Sequence, residues 1–126
     1  MVEDIAKDLP PELFDTKRQI LRSSKAIAPI IAEGFGRKRS QREFYKYVID
    51  AMSSSDETIT HLRTIAMSKF NTIPIEKLKK TAEVYKSISR QLNKLSSTIK
   101  SKLVIWIPKS DIWFLVSDLR QWRKGE

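Results

Sequence analysis

The spacing of apolar residues predicts three long amphipathic helices. Apolar side chains recur every three or four positions in three stretches, from Pro11 to Glu33, from Ser40 to Ser68 and from Pro74 to Leu103. Breaks at 34–36 and 71–73 separate the stretches, and connections this short force neighbouring helices to run antiparallel. The pattern therefore predicts an all-α fold, an antiparallel up-and-down bundle.

Individual residues indicate where these helices begin, bend and end. Ser40 and Glu43 have the spacing of a capping box, which starts the second helix. Gly34 and Gly36 are expected to end the first helix, because glycine readily adopts the left-handed conformation of a helix cap. Pro29 removes one backbone donor and predicts a kink in that first helix.

The second predicted helix has small residues in the middle of its apolar stripe. The stripe is apolar at both ends, but Ala51, Ser55 and Thr58 stand between them. Because the distance between packed helices depends on the side chains at the contact, small residues allow a close approach. We therefore predict that a neighbouring helix packs tightly against this part of the chain.

The C-terminal residues predict a fourth, shorter helix that follows Pro108 and is capped by Ser110. Its apolar surface is broad for its length, so it is expected in the bundle core or at a subunit interface. The interface candidates are Trp113, Phe114, Leu115 and Trp122. With the three long helices it completes a four-helix bundle, in a single domain that spans residues 1–126.

The sequence lacks the residue groupings of an enzyme or a metal site. It has no cysteine, and its one histidine is His61. No nucleophile elbow surrounds the serines at 53–55, and the scattered carboxylates have no metal-ligand spacing. We therefore predict a non-catalytic protein without a cofactor.

The termini and the composition predict a cytoplasmic protein. Residues 1–11 are acidic and mixed, unlike a secretory signal, and no apolar run approaches the roughly 18 to 20 residues of a membrane span. The absence of cysteine fits a reducing compartment. No membrane partner is expected.

The chain is strongly basic, with 24 Lys and Arg residues against 15 Asp and Glu residues and a formal net charge of +9. Such a field attracts polyanions, although an ordinary solvated surface can carry the same charge. The candidate nucleic-acid-binding residues are Arg18, Arg22, Lys25, Arg37, Lys38, Arg39, Arg42 and Lys46.

These candidates form two groups along the chain. The first three share one face of the first helix, because they are four and three residues apart. The other five lie in the break and at the start of the second helix, where free backbone amides already favour an anion. We expect Arg37, Lys38, Arg39 and Arg42 of the second group to contribute more to polyanion affinity than Lys79, Lys80 and Lys86 do.

The run from Ile31 to Arg37, Ile-Ala-Glu-Gly-Phe-Gly-Arg, carries a family resemblance. Further matching positions are Leu9, Pro10, Glu12, Gln19, Arg22, Ser40, Phe44, Ala51, Ser54 and Glu57. The chain resembles, roughly from Leu9 to Leu103, the small four-helix-bundle proteins encoded in intervening sequences of bacterial large-subunit ribosomal RNA genes. That family is related to the accessory variability determinant of diversity-generating retroelements.

The resemblance implies an antiparallel four-helix bundle that assembles into a ring-shaped pentamer and binds nucleic acid through a basic surface. It implies no enzymatic activity. We therefore expect a homo-oligomer that binds RNA or DNA without sequence specificity. The alternative is a scaffold for a protein partner, such as the reverse transcriptase of retroelement-associated relatives. The chain departs from the family pattern at Pro29, Ile30 and Ser53.

The largest departure is at the N-terminus. The family has a full helix before its Phe-Pro position, whereas eight residues precede Leu9 here, so one bundle helix is expected to be missing. That family helix opens with Asp-Leu-x-x-Trp, which resembles the stretch from Asp118 to Trp122. Our hypothesis is that a C-terminal helix, from about Asp111 onward, supplies the fourth bundle position, within its own subunit or in a neighbour.

Overall fold

The computed structural model describes residues 1–105, with side chains to residue 102, and these residues form helices and no strand. The helices are α1 (Val2–Lys7), α2 (Phe14–Gly36), α3 (Gln41–Met67) and α4 (Ile75–Ile105), and a 3-10 turn (Pro11–Leu13) precedes α2. The three long helices are confirmed. The predicted C-terminal helix and its interface candidates, Trp113, Phe114, Leu115 and Trp122, lie outside the described residues.

Helix α3 is the central element, because both α2 and α4 pack along it. The apolar core has two parts, one at each end of the bundle. At the α1 end, Ile20 of α2 meets Leu62 of α3 and Leu78 of α4. At the opposite end, which we call the loop end, the cluster includes Ile27, Val48 and Leu92. The start of each helix thus meets the end of its neighbour, which is the predicted antiparallel arrangement.

Between the two apolar clusters, α3 contacts its neighbours through buried hydroxyl groups. Ser55 and Thr58 are both fully buried. Thr58 Oγ1 lies 2.8 Å from Ser23 Oγ on α2, and Ser55 Oγ donates to the Tyr85 carbonyl of α4 at 3.0 Å. Ser89 of α4 places its Oγ 2.8 Å from Ser55 Oγ. The predicted close approach at the small residues of α3 is confirmed on both sides of this helix.

The sequence analysis did not predict α1. Its apolar residues Val2, Ile5 and Ala6 are buried, and the first two belong to the apolar cluster at the α1 end. Glu3 Oε1 lies 3.8 Å from Lys25 Nζ, so α1 is held against the middle of α2. The expectation that this bundle position would be empty at the N-terminus is therefore wrong, because a short helix occupies part of it.

The prediction that α2 ends within residues 34–36 is confirmed, but the left-handed glycine cap predicted there is wrong. The helix continues through Gly36, and no glycine has a positive φ among the residues described. Gly34 is buried where α2 crosses α3, and a Cβ atom added there would lie 2.5 Å from Tyr47 Cβ. Gly34 is thus required by the approach of the two helices and not by a cap.

Pro29 lies inside α2 and is exposed, and the kink expected there stays a prediction. At the other helix ends the predictions hold. Ser40 caps α3, and the turn at 71–73 is closed by Asn71, whose Oδ1 accepts from the Ile73 amide at 2.8 Å. No helix in the described part of the chain is both long enough and apolar enough to cross a membrane.

We predict opposite effects of alanine at the two glycines of α2. Gly34→Ala should lower the free energy of unfolding by about 1–3 kcal/mol, because the new methyl group overlaps the base of the Tyr47 side chain. Gly36→Ala is the matched control, since a Cβ there meets nothing within 4 Å. It should be neutral or stabilise the protein by up to about 1 kcal/mol. Urea unfolding measures both, and equal effects would contradict the assignment.

Candidate nucleic-acid interface

The eight candidate cations are all exposed and lie in two places. The α2 group, Arg18, Arg22 and Lys25, lies along the first half of α2. The basic loop group lies at the loop end, in the α2–α3 connection and the first turns of α3, and consists of Arg37, Lys38, Arg39, Arg42 and Lys46. The structure does not bring the two groups together into one patch on a single helix face.

Each cation of the α2 group has a carboxylate beside it. Arg18 lies 3.8 Å from Asp15, and Lys25 lies 3.8 Å from Glu3 of α1. Arg22 lies 3.1 Å from Glu57 of α3 and also donates to Gln19 Oε1 at 2.7 Å. Exposed pairs of this kind contribute little to stability, but they balance the local charge. The α2 group therefore attracts a polyanion less than its sequence pattern indicates.

The backbone of the α2–α3 connection has a well-defined hydrogen-bonded shape. The Arg37 amide donates to the Gly34 carbonyl and the Ser40 amide donates to the Arg37 carbonyl, both at 3.0 Å. Ser40 Oγ accepts from the Glu43 amide at 3.2 Å. The cap is thus confirmed, although the Ser40 amide is satisfied by the connection itself and not by the Glu43 side chain.

The basic loop group has an excess of positive charge. Residues 37–46 contain five cations and a single carboxylate, that of Glu43. Arg37 also approaches Glu33 on the last turns of α2, at 3.5 Å. The N-terminus of α3 adds the positive end of its helix dipole at the same place. Together these charges favour a polyanion at the loop end.

Three aromatic side chains lie among these cations, and sequence reasoning missed their arrangement. The rings of Phe35 and Phe44 meet edge to face, with centroids 6.3 Å apart. Lys38 Nζ lies 4.2 Å from the Phe35 ring centroid, and the Arg37 guanidinium lies 5.7 Å from that of Tyr47. The signal available in the sequence was a phenylalanine between two glycines, directly before a run of basic residues.

Tyr47 links the aromatic side chains to the charged ones. Its hydroxyl donates to Glu33 Oε1 at 3.2 Å. Desolvation raises the pKa of Tyr47 above its usual value, the Glu33 carboxylate raises it further, and Arg37 opposes the change. The phenol therefore stays protonated at neutral pH and remains a hydrogen-bond donor, which holds Glu33 beside Arg37.

The side chains of Ser55 and His61 have partners within the fold. Ser55 Oγ donates to a backbone carbonyl of α4, and His61 Nε2 lies 3.4 Å from the Glu57 carboxylate. Within residues 1–102, no three or more His, Asp or Glu side chains are grouped so as to hold a metal ion. The first contact joins α3 to α4 and the second lies within α3, and the basic loop group is the principal candidate site.

Comparison with known protein families matches residues 1–94 to the family described as 23S rRNA-intervening sequence protein. The chain belongs to this family. Membership confirms the resemblance seen at Ile31–Arg37, and the matched region includes all eight candidate cations. Neither the search of curated proteins nor the search of solved structures found a match. The relationship of the 23S rRNA-intervening sequence protein family to retroelement proteins stays a prediction.

Proposed function

We propose that this protein binds nucleic acid through the basic loop group, as a non-catalytic homo-oligomer. The observation that supports it is the excess of cations at 37–46, at one end of the bundle, whereas each of the three cations of the α2 group has a carboxylate beside it. Lys and Arg bind phosphates through charge, so the expected binding is largely independent of base sequence. The family description, which refers to an intervening sequence of 23S rRNA, favours RNA as the ligand.

Assembly strengthens this proposal through the position of the basic loop group. The α2–α3 connection is at an end of the bundle, so in a ring of parallel subunits the connections lie on one rim. A few cations from each subunit then add up to a continuous positive surface, and simultaneous contacts raise the overall affinity. The pentamer implied by the family resemblance is one such ring.

A scaffold for a protein partner, such as a reverse transcriptase, is the second candidate function. Exposed apolar side chains at the α3–α4 connection favour it, since Met67 is 87% exposed and both Phe70 and Ile75 are more than 40% exposed. Apolar contacts depend less on salt than phosphate contacts do, because few counterions are released. The salt response of binding therefore separates the two functions.

We predict that replacing Arg37, Lys38, Arg39 and Arg42 by Gln lowers the affinity for RNA and flattens its dependence on salt. If all four contact phosphates of a single strand, the slope of log affinity against log salt should decrease by up to about 3. The measurement is fluorescence anisotropy with a labelled RNA over a salt series. Circular dichroism and light scattering should show an unchanged fold and oligomer.

The matched control removes four exposed lysines from the opposite end of the bundle, Lys69, Lys77, Lys79 and Lys80, also by change to Gln. The net charge of the two variants is then equal. If both lose the same affinity, the field of the whole protein attracts the ligand and the basic loop group is not the site. If neither variant differs from the wild type at low salt, the scaffold function is favoured instead.

We also predict a homo-oligomer in solution. Light scattering should give a mass that is a multiple of the 14.6 kDa chain. Trp113→Ser together with Phe114→Ser should lower that mass, because large apolar side chains are costly to expose. Phe14→Ser is the control, since Phe14 is 62% exposed on α2. A monomer at micromolar concentrations would contradict the prediction.

A further inference from the structure

Phe35 is an exposed aromatic ring within the basic loop group. It lies in the last turn of α2 and is 56% exposed, although a phenylalanine is apolar. The residue after it is Gly36, where an added Cβ would meet no atom within 4 Å. Gly36 has no side chain, so the residue that follows Phe35 in the chain cannot cover its ring.

The ring is supported from the protein side. Phe44 of α3 meets it at an interplanar angle of 80°, and Phe44 itself is half-buried against the apolar cluster at the loop end. An edge-to-face contact of this kind orients the Phe35 ring, and the residue remains 56% exposed. A ring that is already oriented loses little conformational entropy when a flat ligand stacks on it.

A cation lies over the exposed ring, and a base that stacks on that side has to displace it. Lys38 Nζ is 4.2 Å from the ring centroid, and Arg37 and Arg39 are its neighbours in the chain. The lysine ammonium is a point charge on a flexible stem, so it can move from the ring to a phosphate without rearrangement of the backbone. The chain from Phe35 to Arg39 thus contains one flat apolar ring and three cations that can bind phosphates.

We infer that Phe35 stacks against an unpaired base, so that the basic loop group binds single-stranded nucleic acid in preference to a duplex. This inference rests on the proposed function. Proteins that bind single strands without sequence preference combine a positively charged surface with aromatic side chains, because every base has a face that can stack. In a duplex the bases are stacked on each other, so their phosphates remain available but their faces do not.

Among the described residues, the other two exposed phenylalanines, Phe14 and Phe70, lack this combination. Phe14 is more exposed than Phe35, but Glu12 and Asp15 are beside it in the chain. Phe70 has one cation near its ring, Lys69 at 5.2 Å, and it is followed by the uncharged residues 71–75. Exposure of an aromatic ring alone is therefore not the basis of the inference. Phe14 provides a matched control, because it is the same residue type on the same helix.

The test compares three labelled ligands of equal length: a single-stranded oligouridylate, an RNA duplex and an abasic oligodeoxynucleotide, which has phosphates but no bases. Phe35→Ala should weaken binding of the oligouridylate by about 5- to 100-fold and leave the other two unchanged. Phe35→Tyr and Phe35→Trp should restore the affinity, and Phe35→Leu should not, because it is apolar but cannot stack. Phe14→Ala should bind all three ligands as the wild type does.

The outcomes separate this inference from the proposed function. If the wild type binds none of the ligands, both are wrong. If the four-Gln change in the basic loop group lowers the affinity but Phe35→Leu and Phe35→Ala do not, the stacking role is wrong and the phosphate-binding function remains. If Phe35→Ala lowers the affinity for all three ligands equally, or changes the oligomer mass in light scattering, the ring shapes the loop or joins subunits. Either result would overturn the inference.

Discussion

The pairing of buried hydroxyl groups along the middle of α3 constrains the rest of the bundle. Ser55 and Thr58 are fully buried, and a buried hydroxyl that lacks a partner costs free energy. Thr58 meets Ser23 of α2 on one side, while Ser55 meets the Tyr85 carbonyl and Ser89 of α4 on the other. A shift of either neighbour by one turn would break these pairs, whereas apolar side chains tolerate such shifts. The hydroxyl groups therefore specify the register, and the two apolar clusters supply most of the stability.

The register in turn determines where the charged residues lie. With α2 and α3 aligned at Ser23 and Thr58, Gly34 meets Tyr47 closely enough to exclude a Cβ atom. The α2–α3 connection then projects from the end of the bundle with its cations outward. The same alignment places Glu57 beside Arg22, which balances a cation of α2. One arrangement of helices thus concentrates positive charge at the loop end and balances it along the side.

Sequence patterns predicted the three long helices and the start of α3, because apolar periodicity and capping residues act over a few positions. They did not predict α1, since its six residues offer too few apolar positions for a periodic signal. A glycine that allows a left-handed cap and one that allows a close helix approach look the same in a sequence, and Gly34 is the second kind. The pairing of Arg22 with Glu57 joins residues 35 positions apart. Only the tertiary fold brings such residues together, so the α2 group was interpreted as more positive than it is.

The candidate site lies outside the apolar core, so changes there should affect binding more than they affect the stability of the fold. The basic loop group and Phe35 lie beyond the apolar cluster at the loop end, so their side chains contribute little to the core. Cations alone attract any polyanion, because a phosphate carries no information about base pairing. Under the proposed function, the exposed ring of Phe35 adds a contact that an unpaired base can make and a base stacked within a duplex cannot. In an oligomer that presents several such ends together, discrimination between single strands and duplexes would increase with each ring engaged, since the contributions of linked sites combine.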